Sequence, residues 1–351
     1  MNIFDILGML VERGGSDIHL LAGVPPIMRI DGDLVPVEGV GALGEAELDI
    51  LISPLMNEAQ KKVFAEKWEH DFAYQFADKG RFRVNVYMAR GKKSAALRLI
   101  PAQIRTIEEL NLPPIFNQLA LMKQGLVLVT GPTGEGKSTS LAALIDRINS
   151  TRNEHILTIE DPIEFIYEPK RSIISQRELN EDTQTWAAAL RSALREDPNI
   201  VLVGEMRDYE TIAAAITVAE TGHLVLGTLH TASAAQTVDR IIDSFPAHQQ
   251  AQIRQQLAQT LEAVVSQRLL KKNGGGRVAA FEVMSVNNGV RNLIRESKSY
   301  QIDNILQTTQ DEGNMLIETS LLNLLQQNLI TREDALRTAF RPEQLARSLG
   351  G

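Results

Sequence analysis

Nine consecutive residues have the types and spacing to grip a phosphate chain: Gly131, Pro132, Thr133, Gly134, Glu135, Gly136, Lys137, Ser138 and Thr139. They fit the pattern G-x-x-x-x-G-K-[S/T] without a gap. The glycines let backbone N–H groups close around phosphate oxygens, and a helix starting there adds positive potential. Lys137 is placed to reach the β- and γ-phosphates, and the Ser138 hydroxyl to hold Mg²⁺. A glycine-rich turn with an accidental lysine is the bland alternative. The flanks argue against it. Leu126 to Thr130 is a short apolar β-type run, and Leu141, Leu144, Ile145 and Ile148 recur at helical spacing behind the loop.

Other chemistry-bearing residues fall just beyond further β-type runs. Ile156 to Ile159 leads into Glu160, Asp161 and Glu164, and Ile200 to Val203 leads into Gly204, Glu205 and Arg207. His223 and His230 flank the run Leu224 to Thr228. Open parallel sheets bind ligands beyond the carboxyl ends of their strands. Triphosphate hydrolysis needs a positioned water, a metal and charge neutralisation. Glu164 is the expected water-positioning group, Glu205 an indirect Mg²⁺ ligand, and Glu160 and Asp161 shape the site. Acids after strands also serve as helix caps or solvated loop charges. The two histidines are either γ-phosphate or inter-subunit contacts, or satisfied core histidines. With no third ligand at recognisable spacing they do not make a metal site.

The elements that must position these groups are legible in the texture of the chain. Residues 1–101 read as a small α+β domain. Ile3, Ile6, Leu7 and Leu10 make an amphipathic helix. Strands are expected at 18–21, 27–30, 34–37, 71–76, 81–88 and 94–100, with a turn at Asp31-Gly32 and a helix over 45–67 broken near Pro54. Phe82, Val84 and Val86 alternate with Arg81 and Arg83, so one face is apolar and the other basic. Those arginines and Arg98 are also explained as a wet sheet face. A linker at 102–112 precedes the second domain, 113–351. There, apolar runs at 126–130, 156–159, 200–203, 224–228 and 278–283 alternate with helices near 137–150, 183–196, 209–220 and 247–270. That alternation implies an α/β fold with a parallel sheet covered on both faces. From about 287 to 351 the chain reads as helical.

Composition narrows the function classes. The 351 residues carry a formal net charge of -8, which argues against broad binding to nucleic acid. The absence of cysteine excludes disulfides and thiolate metal sites. No signal peptide and no membrane-spanning apolar stretch are expected.

Taken together, these segments resemble the secretion-superfamily ATPases, most closely the type IV pilus retraction type. Beyond the phosphate loop, the matching stretches are 156–165 (an aspartate box), 203–208 (Walker B), 221–231 (a histidine box), 190–198, 279–283 and 290–296, with 15–20 and 80–85 in the N-terminal part. The resemblance implies a PAS-like N-terminal domain and a RecA-like P-loop motor domain with a helical C-terminal subdomain. It implies a cytoplasmic homohexamer that hydrolyses ATP with Mg²⁺ at the inner face of the membrane and acts on an inner-membrane platform protein, with a paralogous accessory motor as a further partner. It neither binds nucleic acid nor inserts into the membrane on this reading. Arg83 and Arg98 become arginine-finger candidates, and Arg81 a nucleotide-contacting one. The chain departs from the family in two places: Glu135 stands where a small residue is usual, and Val290 where Ile is frequent. The alternatives are a pilus-extension or type II secretion assembly ATPase, and an accessory nucleotide-binding scaffold that does not hydrolyse ATP. Glu135 is the feature that points to the scaffold.

Overall fold

The computed structural model describes residues 1–30, 32–77, 80–100 and 103–349. Asp31 of the expected turn and Pro101 at the expected domain boundary lie outside the described residues. The chain divides into two compact units, Met1–Gln103 with Pro162–Ile166, and Ile104–Asp161 with Tyr167–Gly351.

The first unit is an antiparallel sheet backed by helices. Its elements are α1 (Ile3–Glu12), β1 (Asp17–Leu20), β2 (Ile27–Ile30), β3 (Asp33–Pro36), α2 (Glu45–Ile52), α3 (Glu58–Lys67), β4 (Glu69–Phe76), β5 (Gly80–Ala89) and β6 (Lys92–Ile100). The strand order is β3-β2-β1-β6-β5-β4. Asn2 and Asp5 form a reciprocal capping box that starts α1, whose Ile3, Ile6, Leu7 and Leu10 are buried. The period-2 alternation of β5 sends Phe82, Val84 and Val86 into the same core. Arg81 and Arg83 take the opposite face. Register sets Arg83 across from Arg98, and Arg98 across from Asp17. Two like charges directly opposed are unfavourable. Each arginine is offset by its own acid: Arg83 donates to Asp71 at 3.2 Å, and Arg98 Nε donates to Asp17 at 2.9 Å.

The second unit is built on a seven-stranded sheet. It runs α4 (Ile115–Leu119), β7 (Gly125–Thr130), α5 (Lys137–Thr151), β8 (His155–Glu160), β9 (Ile173–Glu178), α6 (Trp186–Ala193), β10 (Ile200–Val203), α7 (Tyr209–Glu220), β11 (Leu224–Leu229), α8 (Ala234–Asp243), α9 (Ala247–Thr260), β12 (Leu261–Lys271) and β13 (Arg277–Ser285). Helices α10 (Asn288–Arg295), α11 (Ile302–Thr308), α12 (Ile317–Gln326), α13 (Arg332–Thr338) and α14 (Pro342–Ser348) close the chain. The strand order is β13-β12-β7-β11-β10-β8-β9. Every residue of β7, β10 and β11 is buried, which is why these strands read as unbroken apolar runs.

Two strands depart from the sequence expectation. The helix expected over 247–270 ends at Thr260, and β12 occupies its second half. Leu257, Leu261, Val264 and Val265 have helical spacing, and all four are fully buried, so burial alone does not separate the two readings. Strand β12 lies between β7 and β13 and shows no in–out alternation. It pairs parallel with β7 and antiparallel with β13, so the sheet is mixed and not wholly parallel. The edge strand β9 was not expected either, because its Ser175, Gln176 and Arg177 break the apolar signal.

Helix α8 begins against β13. The Glu282 carboxylate, almost wholly buried, accepts from the Ala234 backbone N–H at 2.8 Å. Burial pushes the Glu282 pKa up to about 7; the Ala234 hydrogen bond and Arg341 oppose this, and Asp303 and Glu318 reinforce it. The folded state therefore holds a proton that the unfolded chain releases near its ordinary value of 4.5. The group's stabilisation is full below that value and is lost as pH rises through about 7. Glu282→Gln keeps an acceptor for Ala234 and does not titrate. Its melting temperature should fall less than the wild type's between pH 5 and pH 8. Parallel melting curves for the two proteins across that range would contradict this assignment.

Candidate active site

The phosphate loop leaves β7 and enters α5. Its glycines take backbone conformations that side chains resist: Gly131, Gly134 and Gly136 have φ of 140°, 84° and 82°. The seat beneath them is tight. A Cβ on Gly131 would lie 2.4 Å from the Gln267 carbonyl oxygen on β12. Lys137, the first residue of α5, is buried, and its amine donates to the carbonyls of Gly131 and Pro132 at 2.8 and 2.9 Å. It therefore sits in the mouth of its own loop. Ser138 and Thr139 are half-buried beside it, in the first turn of α5, where backbone N–H groups lack helical partners.

Two strand ends are tied to that loop. Glu205 lies just past β10, and His230 just past β11. Glu205 Oε1 is 2.8 Å from His230 Nε2 and 2.6 Å from Arg207 Nε. The other ring nitrogen of His230, Nδ1, is 3.4 Å from Thr133 Oγ1 in the loop. A neutral imidazole with its proton on Nε2 satisfies both contacts, donating to Glu205 and accepting from Thr133. Burial raises the Glu205 pKa, but the hydrogen bond and charge of Arg207, joined by His230, outweigh it and hold the carboxyl below its ordinary value. Glu205 is thus a carboxylate at neutral pH. At the end of β8 the buried Glu160 accepts from Thr158 Oγ1 at 2.7 Å, and Asp161 is exposed next to it.

The glycine before Glu205 is closely packed. A Cβ on Gly204 would sit 3.2 Å from the Ile159 carbonyl oxygen and 3.3 Å from the Glu160 Cα. Strands β8 and β10 are paired there, and their backbones leave little room to give.

Several expected site residues fall elsewhere. His223 does not reach the phosphate loop of its own chain, which bears on its phosphate-contact reading and not on its inter-subunit one. It precedes β11, whose register pairs Leu224 with Gly125 and Leu229 with Thr130. A whole strand, roughly 17 Å, therefore separates it from the phosphate loop of its own chain. Its Nδ1 lies 3.0 Å from both the Val218 carbonyl and Thr221 Oγ1. Glu135 keeps its place in the loop, with its side chain engaged elsewhere. Its carboxylate accepts from the Leu269 backbone N–H on β12, so its side chain is turned to the sheet and this residue leaves only its backbone for phosphate. Glu164 belongs to the segment that clusters with the first unit, which also carries Arg81, Arg83 and Arg98. The sequence reading missed Gln267, which approaches the loop from β12. Recognising Val264-Val265 as a strand signal was the available clue.

The metal expected here fits the donor set: a hydroxyl at a helix start and an ionised carboxylate are both hard oxygen ligands suited to Mg²⁺.

Comparison with known proteins gives the family. Residues 72–337 match the family model described as type II/IV secretion system protein. The type IV pilus retractation ATPase PilT of Pseudomonas aeruginosa is 48% identical over 343 residues, covering 98% of this chain and 99% of that protein. A twitching motility protein of Neisseria gonorrhoeae is 48% identical over 327 residues, covering 93% of this chain and 87% of its own length. A crystal structure of the pilus retraction motor PilT with bound ADP superposes with a TM-score of 0.89 at 46% identity, covering 99% of each chain. The chain belongs to the type II/IV secretion system protein family, and within it to the ATPases of the PilT type. Its second unit has the RecA-like fold of those enzymes, with a helical C-terminal part.

The packing at Gly204 gives a direct check. Gly204→Ala should destabilise the protein by about 1–3 kcal/mol through overpacking between β8 and β10. An unchanged thermal or urea midpoint would show that the two strands can part without cost.

Proposed function

We propose that this ATPase works as a hexameric motor that powers type IV pilus retraction. The supporting observation is the link from Glu205 through His230 to Thr133, which joins two strand ends to the loop that carries Lys137. Lys137 exchanges its loop carbonyls for the β- and γ-phosphates of ATP. Ser138 would hold Mg²⁺, with Glu205 assisting through water. The ion, when bound, neutralises phosphate charge. Glu164 orients the attacking water, and Glu160 and Asp161 shape the pocket. His230 keeps Glu205 in place and communicates with the loop through Thr133. Arg83 and Arg98 are retained, from the family resemblance, as arginine fingers. To act so, each must release the acid that now holds it, Asp71 or Asp17.

The ring engages an inner-membrane platform protein from the cytoplasmic face, with a paralogous motor as an accessory. Among the described residues, no helix is long and apolar enough to cross a membrane. The non-hydrolysing scaffold loses its one motive, because the Glu135 carboxylate is already bound to β12. A pilus-extension or secretion-assembly role stays as the second reading, since the matching family model is described only as type II/IV secretion system protein.

Purified protein should hydrolyse ATP only with Mg²⁺. Lys137→Ala and Glu205→Gln should each lower turnover by about a hundredfold or more. Undiminished turnover in both would reject the site. Deleting the gene should leave cells with surplus surface pili and no twitching; bald cells would favour extension.

A further inference from the structure

The phosphate loop is braced by a residue that no motif assigns. Gln267 is 3% exposed and its side-chain amide spans two parts of the site. Its Nε2 donates to the Glu135 carbonyl at 2.7 Å, and its Oε1 accepts from Ser140 Oγ at 2.7 Å. A carbonyl only accepts, so the amide's NH₂ must be the end that faces Glu135. Ser140 is itself buried in α5, one turn into the helix that Lys137 begins.

The Glu135 carbonyl matters because of the peptide it belongs to. In a planar trans peptide the C=O of one residue and the N–H of the next point in opposite directions. Drawing the Glu135 oxygen toward β12 therefore turns the Gly136 N–H away from β12. Gly134 and Gly136, on either side, have φ of 84° and 82° and place few limits of their own on that plane. The Gln267 amide and the Glu135 carboxylate on the Leu269 N–H resist a flip of this peptide, and Gln267 does so at the carbonyl itself. The neighbouring contacts fix the height of the strand. Thr130 Oγ1 and Ser266 Oγ are 2.9 Å apart at the last pair before the loop, and the Gln267 backbone lies under Gly131.

We infer that Gln267 is a positioning residue for nucleotide binding: it orients the Glu135–Gly136 peptide so that the Gly136 N–H faces the phosphates. Gln267 does not touch the nucleotide. It acts through one peptide plane, and the inference rests on the reading of this loop as the ATP site.

The test is ADP affinity, read with a fluorescent ADP analogue and Mg²⁺ on the full chain. Gln267→Met keeps most of the volume and loses the donor to Glu135; it should bind about tenfold more weakly, the loss expected for an unmade buried hydrogen bond. Gln267→Glu sets an acceptor against the carbonyl and should bind more weakly still. Ser140→Ala keeps the Glu135 bond and should bind nearly as the wild type does. A purely structural role would lower the melting temperature without this ranking. Equal affinity in the wild type and Gln267→Met, or a larger loss in Ser140→Ala than in Gln267→Met, overturns the inference. Failure of the wild type to bind ADP would instead remove the functional reading beneath it. If Gln267→Met does not fold, Gln267→Glu decides alone: affinity equal to the wild type's overturns the inference.

Discussion

The pairing of β12 with β7 is the constraint on which the rest of this structure depends. A phosphate loop carries few contacts of its own. Its glycines are chosen for freedom, and that freedom must be removed before backbone N–H groups can converge on an anion. Strand β12 removes it. Register sets Ser266 beside Thr130 at the final pair, so the rest of β12 lies under the loop that continues from β7. Gly131 has no side chain because the Gln267 carbonyl occupies the place where one would go. Glu135 and Gln267 then hold the loop's middle to the strand from both partners.

The same sheet sets the electrostatics. Strands β8, β10, β11 and β7 run parallel, so their carboxyl ends emerge at one edge. Buried strands cannot slide or rotate without exposing apolar residues on both faces. Acids and a histidine placed one or two residues beyond those ends inherit that rigidity. Glu205 is the focus. Arg207 and His230 share its oxygen and keep it ionised in spite of partial burial. A hard cation and a polyphosphate demand that kind of group, charged in advance and slow to reorganise. Gly204 lets Glu205 stand where it does, since a larger residue there would press β10 away from β8.

Much of this was legible in the residues themselves. The phosphate loop follows from its glycine and lysine spacing, and the strands at β7, β8, β10 and β11 from apolar runs bounded by distinctive polar residues; the clustering of 162–166 with the first unit had no local signal. Alternation in β5 gave the apolar face of the first sheet directly. Strand β12 was hidden because a strand buried on both faces and a buried helix share the same composition, and its leucines and valines happened to fall at helical spacing. With β12 hidden, Gln267 and the Glu135 carboxylate had no visible partner. For His223 the strand itself sets the constraint. Proximity in sequence to His230 says nothing about which end of a strand a residue occupies, and parallel pairing with β7 puts the two histidines at opposite ends. The Thr133–His230 contact joins positions 97 residues apart, a distance no local pattern spans.

The central claim is geometric: one sheet edge gathers a loop lysine, a charged carboxylate and a histidine around a single triphosphate. A structure of the assembled protein with Mg²⁺ and a non-hydrolysable ATP analogue tests it most directly. The account predicts β- and γ-phosphate oxygens within about 3 Å of the Lys137 amine and the loop N–H groups, with Mg²⁺ on Ser138 and a water between it and Glu205. An analogue bound with its phosphates away from the loop, or a metal held without Ser138 and Glu205, would contradict it.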